Sequence, residues 1–501
     1  MCGIFAVTGT IDNEKIDSML ESMTHRGPDE GDHVEVNNFH FGHRRLSIIG
    51  VDNGKQPISN REQSKYIVCN GEIYNYQHLK EQLKKTTTFK TDSDSEVPLK
   101  LYEAHGAKGV TYLDGMFAFV IADVENETFM AARDTLGIKP LYYGYDENGN
   151  MAFSSELKTL FHVTTDVKEF PQGHYYTPES GFVSYRRIKA PSQLLDKTNE
   201  VEILTGIQSI LEKSVQKRLV ADVEVGVLLS GGLDSSLIAA IAQKYRNQER
   251  PLHSFCVGIE GSPDIEAARD VAKSIGTIHH EHIYTKEELI DALPEVIYYL
   301  ESYDPSLVRS AIPCYFVSKL AAKHVKVVLS GEGADELFSG YAYLQEITDE
   351  TKLNEELIRI INSLHNINLQ RLDRMSMAHS LEGRVPFLDL ELIDYALKIP
   401  SSLKLSNEEE MEKALLRRAF EGVLPEHILW RKKAEFSEGS GAVDILESYA
   451  NEAVTDEELV CAQNNESITI RSKQEWLYYK IFKNYYPQNS ALETIGHWAV
   501  V

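Results

Sequence analysis

The chain is predicted to be a two-part α and β protein: an antiparallel α+β half, then an α/β half on a parallel sheet with a helical end. Length is the first reason, since 501 residues exceed what one core supports and make two domains the natural expectation. Hairpin grammar is the second. Short alternating runs at 116–122, 128–132 and 141–145 are joined by turn residues such as Glu125-Asn126 and Asp146-Glu147-Asn148-Gly149. The third is a change of pattern near Val201, after which strand-like runs at 225–229, 252–258, 279–284 and 325–329 alternate with helical stretches. The Pro- and polar-rich segment KAPSQLLDKTN (189–199) reads as the linker, which puts one domain at 2–190 and the other at 200–501.

Composition removes several function classes. Hydrophobic content of 42% with 25% charged residues is globular rather than disordered. A net charge of -25 argues against nucleic acid as a partner, because no basic face could neutralise phosphates against that field. No apolar run is long enough to span a membrane, and MCGIFAV lacks the basic start of a signal peptide. Five cysteines (Cys2, Cys69, Cys256, Cys314 and Cys461) are scattered, odd in number and without a C-x-x-C pair. That usage points to reduced thiols and a cytoplasmic location. Cys69 and Cys256 lie in apolar runs and are expected in the core.

The second half centres on one loop. The β-branched run VGVLL (225–229) breaks at Ser230-Gly231-Gly232, and Leu233-Asp234-Ser235-Ser236 opens an apolar-periodic helix. A strand, a glycine turn and a helix start together make an anion site, with free N–H groups and the helix dipole favouring negative charge. The lysine of a Walker A loop is missing, so the loop is expected to hold the pyrophosphate end of ATP. The string SGGLDSS resembles the PP-loop of ATP pyrophosphatases, which activate carboxylates or ureido oxygens as adenylates. A second motif, SGEGADE (330–336), follows the run at 325–329. In a parallel sheet both loops sit at strand carboxyl ends, where ligands bind.

Residue chemistry then suggests roles. Asp234 and Asp335 are hard oxygen ligands suited to Mg²⁺ on the phosphates, against the plainer reading of acids at helix starts. Ser230, Gly231, Gly232 and Ser235 would cradle ATP, with Ser330 and Gly331 approaching it by backbone. Leu228 and Val257 would flank adenine and ribose, and Glu332 would orient the carboxylate being activated.

The first half carries a different chemistry. Removal of Met1 would leave Cys2 at the amino end, with thiol and α-amino base in one residue. HRGPDEG (25–31), GHRRLSIIG (42–50) with Arg45 at the head of an apolar strand, CNGEIYNY (69–76), TDSDSEV (91–97) and DGMFAFVIAD (114–123) follow, then ARDTLGIKPLYY (132–143). Together with CGIF these resemble the glutaminase domain of class II amidotransferases, N-terminal-nucleophile hydrolases with two antiparallel sheets between helical layers, an αββα sandwich. The resemblance implies Cys2 as nucleophile, with the Asn70 side chain and Gly71 N–H as oxyanion donors. Arg45 would read the α-carboxylate of glutamine and Asp94 its α-amino group, with Leu46, Ser47, Ile48, Ile49 and Glu72 lining the site.

Helices are expected at 353–364, 369–381, 390–397, 411–420 and 476–485, their apolar residues mostly core. Within this region DRMSMAHSLEGRVPFLD (373–389) and WRKKAEFSEG (430–439) resemble the asparagine synthetase family, in which Lys433 matches a lysine that neutralises phosphate charge. The segment YDPSLVRSAIP (303–313) departs from the family pattern, with Ser306-Leu307 in place of two threonines and Arg309 retained. The runs Lys85 to Thr88 and Glu408 to Glu410 are expected to be solvated faces.

The resemblance implies glutamine-dependent synthesis of asparagine from aspartate and ATP through β-aspartyl-AMP, with small-molecule partners, Mg²⁺, and a homodimer as the candidate assembly. Two other readings remain: an adenylating cyclase of the β-lactam synthetase type, which lacks a working cysteine, and a non-catalytic glutamine or nucleotide sensor.

Overall fold

The computed structural model describes residues 2–85, 87–246, 251–405, 411–433, 440–466 and 468–496. Met1, Thr86, Glu408 to Glu410 and the 434–439 part of WRKKAEFSEG lie outside the described residues. Two compact units form: one holds residues up to Arg187, Leu364–Glu382 and the chain from Phe482; the other holds Ile188–Ser363 and Gly383–Ile481.

The first unit is built on β1 (Cys2–Thr8), β2 (Glu30–Val36), β3 (Phe39–Arg45), β4 (Ile58–Ser59), β5 (Lys65–Ile73) and β6 (Gly115–Asp123). The chain continues through β7 (Thr128–Arg133), β8 (Tyr142–Tyr145), β9 (Met151–Ser154), β10 (Val167–Glu169), β11 (His174–Thr177) and β12 (Gly181–Ser184). They form two six-stranded sheets, β10-β8-β9-β1-β3-β2 and β12-β11-β7-β6-β5-β4, whose paired strands run antiparallel.

Side-chain alternation explains why β1 is apolar on both faces. Ile4 and Ala6 point inward to meet Val68, Ala118 and Val120 of the other sheet. Phe5 and Val7 point outward against Ile16 and Met19 of the helix Asn13–Ser22. The second sheet does the same: Cys69, Phe117, Phe119 and Ile121 pack on Leu79, Leu83, Leu99 and Leu101 of the helices Tyr76–Leu83 and Val97–His105. Four layers result, helix–sheet–sheet–helix, which is the αββα sandwich.

Charge explains why a segment from late in the chain joins this unit. Arg26 is fully buried and its guanidinium contacts Asp373 at 2.9 Å and Glu156 at 2.9 Å. Lys139 reaches Asp373 at 3.2 Å, and Arg374 reaches Glu156 at 3.2 Å. Buried charges persist only when paired, so the helix Asn368–Met377 is required inside the unit that contains Arg26.

The second unit is centred on the sheet β15-β14-β13-β16-β17, with β13 (Val225–Leu228), β14 (His253–Gly258), β15 (Ile278–Ile283), β16 (Val327–Leu329) and β17 (Glu382–Arg384). Pairings β13/β14, β13/β16 and β14/β15 are all parallel. The helix Leu233–Tyr245 follows β13, as the motif required. Residues 188–199 are irregular and end at Asn199, whose side chain caps the helix Glu200–Arg218.

Several expected boundaries shift. Arg45 ends β3 rather than heading a strand, because Ser47 N–H goes to the Asp29 carboxylate at 2.8 Å instead of a ladder. The helix expected at 369–381 stops at Met377, and that expected at 411–420 is limited to Ala414–Ala419.

Candidate active sites

In the first unit the site grows from the start of β1. Cys2 pairs in register with Arg45 of β3 and is 6% exposed. Burial pushes its thiol up, opposed by a hydrogen bond from the Leu46 backbone and by the Arg45 guanidinium. The Cys2 N–H donates to Asn70 Oδ1 at 3.0 Å. Asn70 Nδ2 is buried and meets no acceptor among the described residues. A buried amide donor left unmatched costs about 1–3 kcal/mol, and such a group is retained where an anion arrives during reaction. Gly71 follows at φ +151°, where an added Cβ would sit 2.1 Å from the Met116 carbonyl oxygen, so only glycine lets β5 lie this close to β6.

Arg45 is buried, and its two terminal nitrogens donate to Glu30 at 3.0 Å and to the carbonyls of Val51, Ile49 and Gly50. Leu46, Ser47, Ile48 and Ile49 are buried in the loop after β3, and Glu72 is buried in β5. Asp94 is buried at the start of a short 3₁₀ turn and accepts the Ile73 N–H at 2.8 Å. An added Cβ on Gly50 would lie 2.6 Å from the Ser93 nitrogen, so the Arg45 loop and the Asp94 turn are packed together. All the predicted residues of the first unit are thus gathered around Cys2 and β5.

In the second unit the two motif loops are in contact. An added Cβ on Gly331 would lie 2.9 Å from the Ser235 nitrogen and 3.0 Å from Asp234 Cβ. Gly231 takes φ +74°, and its Cβ would strike Ala267 at 2.5 Å. Ser235 Oγ accepts the Ser230 N–H at 3.2 Å and contacts the Gly232 carbonyl at 3.2 Å, which fixes the turn shape. Gly232 caps the helix Leu233–Tyr245 without a side chain, so the first-turn N–H groups face outward from the glycine loop. Leu228 ends β13 half-buried, and Val257 is buried one residue before the end of β14.

Asp234 and Asp335 come together through a residue that the sequence did not single out. Lys413 Nζ lies 2.8 and 2.6 Å from the two Asp234 oxygens and 2.7 Å from Asp335 Oδ1. Lys433 Nζ reaches the same Asp335 oxygen at 2.7 Å and the Gly340 carbonyl at 3.0 Å, 4.9 Å from the Tyr341 ring centre. Burial works to raise both aspartates. Lys413 and Lys433 overcome it at Asp335 and hold it at about 2, while Asp234 is pushed up by burial and the adjacent carboxylate. Glu336, buried beside Asp335 and accepting from Tyr341 Oη at 2.6 Å, is pushed up to about 7 by burial and that neighbour. Glu332, between Gly331 and Gly333, is half-buried.

Lys413 takes φ +59°, a left-handed conformation in a residue other than glycine, which a fold retains where a side chain must be aimed. Its only sequence signal was a lone lysine closing an acid-rich stretch. Arg26 was also missed: its Nε donates to the Cys2 carbonyl at 3.0 Å, anchoring the backbone of Cys2. In the departing segment, Leu307 is 4% exposed inside the helix Pro305–Ala321. Ser306 Oγ instead accepts from Arg309 at 3.3 Å.

A thiol at the start of a central strand beside an unmatched amide, and a strand–glycine–helix cradle with two carboxylates, are the features of a glutamine amidotransferase joined to a nucleotide-dependent synthetase unit. The glutamine amidotransferase domain model matches residues 1–201, and the asparagine synthase model matches residues 206–350 and 344–499. Asparagine synthetase B (glutamine-hydrolyzing) of Escherichia coli strain K12 is 40% identical over 524 residues, covering 99% of this chain and 93% of that protein. The Zea mays asparagine synthetase (glutamine-hydrolyzing) is 40% identical over 521 residues, covering 99% of this chain and 88% of that protein. The chain belongs to the glutamine-hydrolysing asparagine synthetase family.

Proposed function

We propose that the chain makes asparagine from aspartate, ATP and the amide nitrogen of glutamine, releasing glutamate, AMP and pyrophosphate. The first domain, about 2–190, frees ammonia; the second, about 200–501, primes aspartate. One observation supports the reading above others: a single chain holds both the Cys2–Asn70 pair with its unmatched amide and the lysine-bridged Asp234–Asp335 pair.

With Met1 removed, the Cys2 α-amine accepts the thiol proton and the thiolate attacks the side-chain carbonyl of glutamine. Asn70 Nδ2 and the Gly71 N–H then receive the oxyanion, the C–N bond breaks, and ammonia leaves with that proton. Water hydrolyses the thioester to glutamate. Glutamine is held by its α-carboxylate on Arg45, displacing the half-exposed Glu30, and by its α-amine on Asp94. Leu46, Ser47, Ile48, Ile49 and Glu72 wall the pocket.

In the second domain Ser230, Gly231, Gly232, Ser235, Ser330 and Gly331 bind the phosphates, with Leu228 and Val257 beside adenine and ribose. The aspartate β-carboxylate oxygen attacks the α-phosphorus and pyrophosphate departs. Ammonia attacks the activated carbonyl carbon, AMP departs, and the surplus proton is released, with Glu332 orienting the acyl group. Mg²⁺ fits here by donor chemistry: Asp335 meets both lysines with Oδ1, which leaves Oδ2 for a hard cation opposite Asp234. When bound, the cation would neutralise phosphate charge beside Lys413 and Lys433. Five free thiols support a cytosolic setting, and no described helix is long and apolar enough to cross a membrane.

The deciding experiment incubates the purified protein with glutamine, aspartate, ATP and Mg²⁺ and quantifies products. Asparagine, AMP and glutamate in equal amounts are expected. ADP in place of AMP, or an intact mass that retains Met1 in active enzyme, sinks the proposal.

A further inference from the structure

Away from the nucleotide loops, at the amino-terminal side of the same sheet, three histidines converge. His253 opens β14, His280 is the third residue of β15, and His324 lies in the turn before β16. One ring nitrogen from each falls within 4.8 Å of the other two. His253 Nδ1 and His280 Nε2 are 2.9 Å apart. The His253 and His280 ring centres are 5.1 Å apart, and His280 and His324 stack at 3.9 Å.

We propose that His253, His280 and His324 form a binding site for a nitrogen-preferring divalent d-block ion, represented by Zn²⁺. Imidazoles suit zinc and its neighbours, whereas Mg²⁺ takes hard oxygens, so this site is chemically separate from the aspartate pair. Two nitrogens on a tetrahedral zinc with bonds of about 2.0–2.1 Å stand about 3.4 Å apart, so the 2.9 Å pair needs only a small opening. Both rings bind as neutral imidazoles: the ring that donates in this pair takes its proton on its other nitrogen, by exchange with solvent, and the freed nitrogen meets the ion. His324 is exposed and closes the set by swinging its ring off the stack. It borders an open groove of about 680 Å³ that also carries Asp222 and Glu224, so the ion has a route in and room for water as a fourth ligand.

Backbone placement supports the assignment. The register sets Ser254 opposite His279 and Phe255 opposite His280, so His253 and His280 point to one sheet face while His279 points to the other, where it meets Ser254 Oγ at 2.9 Å. The site would tie β14 and β15 to the start of β16, a structural clamp rather than a reactive centre.

The test uses the full chain and zinc alone. Metal-free protein is titrated with Zn²⁺ against a chromophoric chelator, then with Co²⁺ to read visible d–d absorption, for the wild type, His324→Ala and His280→Gln. One ion per wild-type chain is expected, with affinity reduced more than about tenfold in His324→Ala and a higher Tm only where zinc binds. His324 sits on an exposed turn, so its variant keeps the fold and the comparison stays readable. No zinc uptake by the wild type at about 100 µM, or equal affinity with and without the His324 ring, overturns the proposal.

Discussion

The two sites handle buried polarity in opposite ways. Around Cys2 a donor, Asn70 Nδ2, has no partner among the described residues, and on the proposed mechanism it gains one when the oxyanion forms. Asp234 and Asp335, by contrast, each already have an ammonium, from Lys413 or from both lysines. The first arrangement stores its cost in one orphan group, which on the proposed mechanism is recovered in the transition state. The second holds its two aspartates paired at rest and, on the proposed mechanism, shares its lysines when phosphates arrive. An unmatched donor suits a charge that appears briefly, and carboxylate-paired ammonium groups suit a substrate that brings its own charge.

The contrast breaks most cleanly at its nucleophile. Cys2→Ala should lower glutamine-dependent asparagine formation by on the order of 10⁴-fold or more while ammonium-dependent formation persists, as measured by asparagine release with each nitrogen source. Loss of both would mean the sites are not separable. Asp234→Asn inverts the pattern, with AMP formation down about 10²–10³-fold and glutaminase turnover retained. Unchanged AMP release would remove Asp234 from the phosphate site.

Asn70→Ala sharpens the idea of a stored cost. Its glutaminase kcat should fall about 10²-fold with little change in KM, while thermal stability changes little, because removing the orphan donor is set against losing the Cys2 N–H bond to Oδ1. A marked drop in Tm would show that the amide is structural.

An effect of pH tests the buried charges of the first unit. Asp373 titrates near 3.8 when unfolded but near 2 in the fold: burial would raise it, and Arg26 and Lys139 hold it down. A depressed carboxylate adds stability above the unfolded value and loses it as pH falls toward the folded one. The first unit should therefore weaken between about pH 4 and pH 2, followed by near-UV circular dichroism, with a flatter profile in Asp373→Asn. The smallest change is expected at the departing segment. Ser306→Ala frees the Arg309 guanidinium and should alter the aspartate KM by only a few-fold, about 1 kcal/mol at most.

Sequence reasoning reached furthest where the signal was local. VGVLL followed by SGGLDSS sets strand, turn and helix within twelve residues, and the structure has β13 ending at Leu228 and the helix starting at Leu233. Around Arg45 it misled, since LSII looks like a strand but its backbone turns toward Asp29 once the pairing with Cys2 is complete. Lys413 was invisible because its partners sit far back in the chain, in the two motif loops, with Asp234 179 positions earlier. The same holds for Asp373, 347 positions from Arg26. Contacts that pay for burial across such distances leave no periodic trace.

That long-range pairing has a consequence for biosynthesis. Arg26, Lys139 and Glu156 emerge from the ribosome well before Asp373 and Arg374 exist to meet them. Although domains generally fold in order during translation, the amino-terminal sandwich here has to wait for the helix Asn368–Met377 before its interior is electrically neutral. A chaperone that holds nascent chains would be needed most over that interval, and an expression clone cut at residue 190 would lack the counterions its own centre requires.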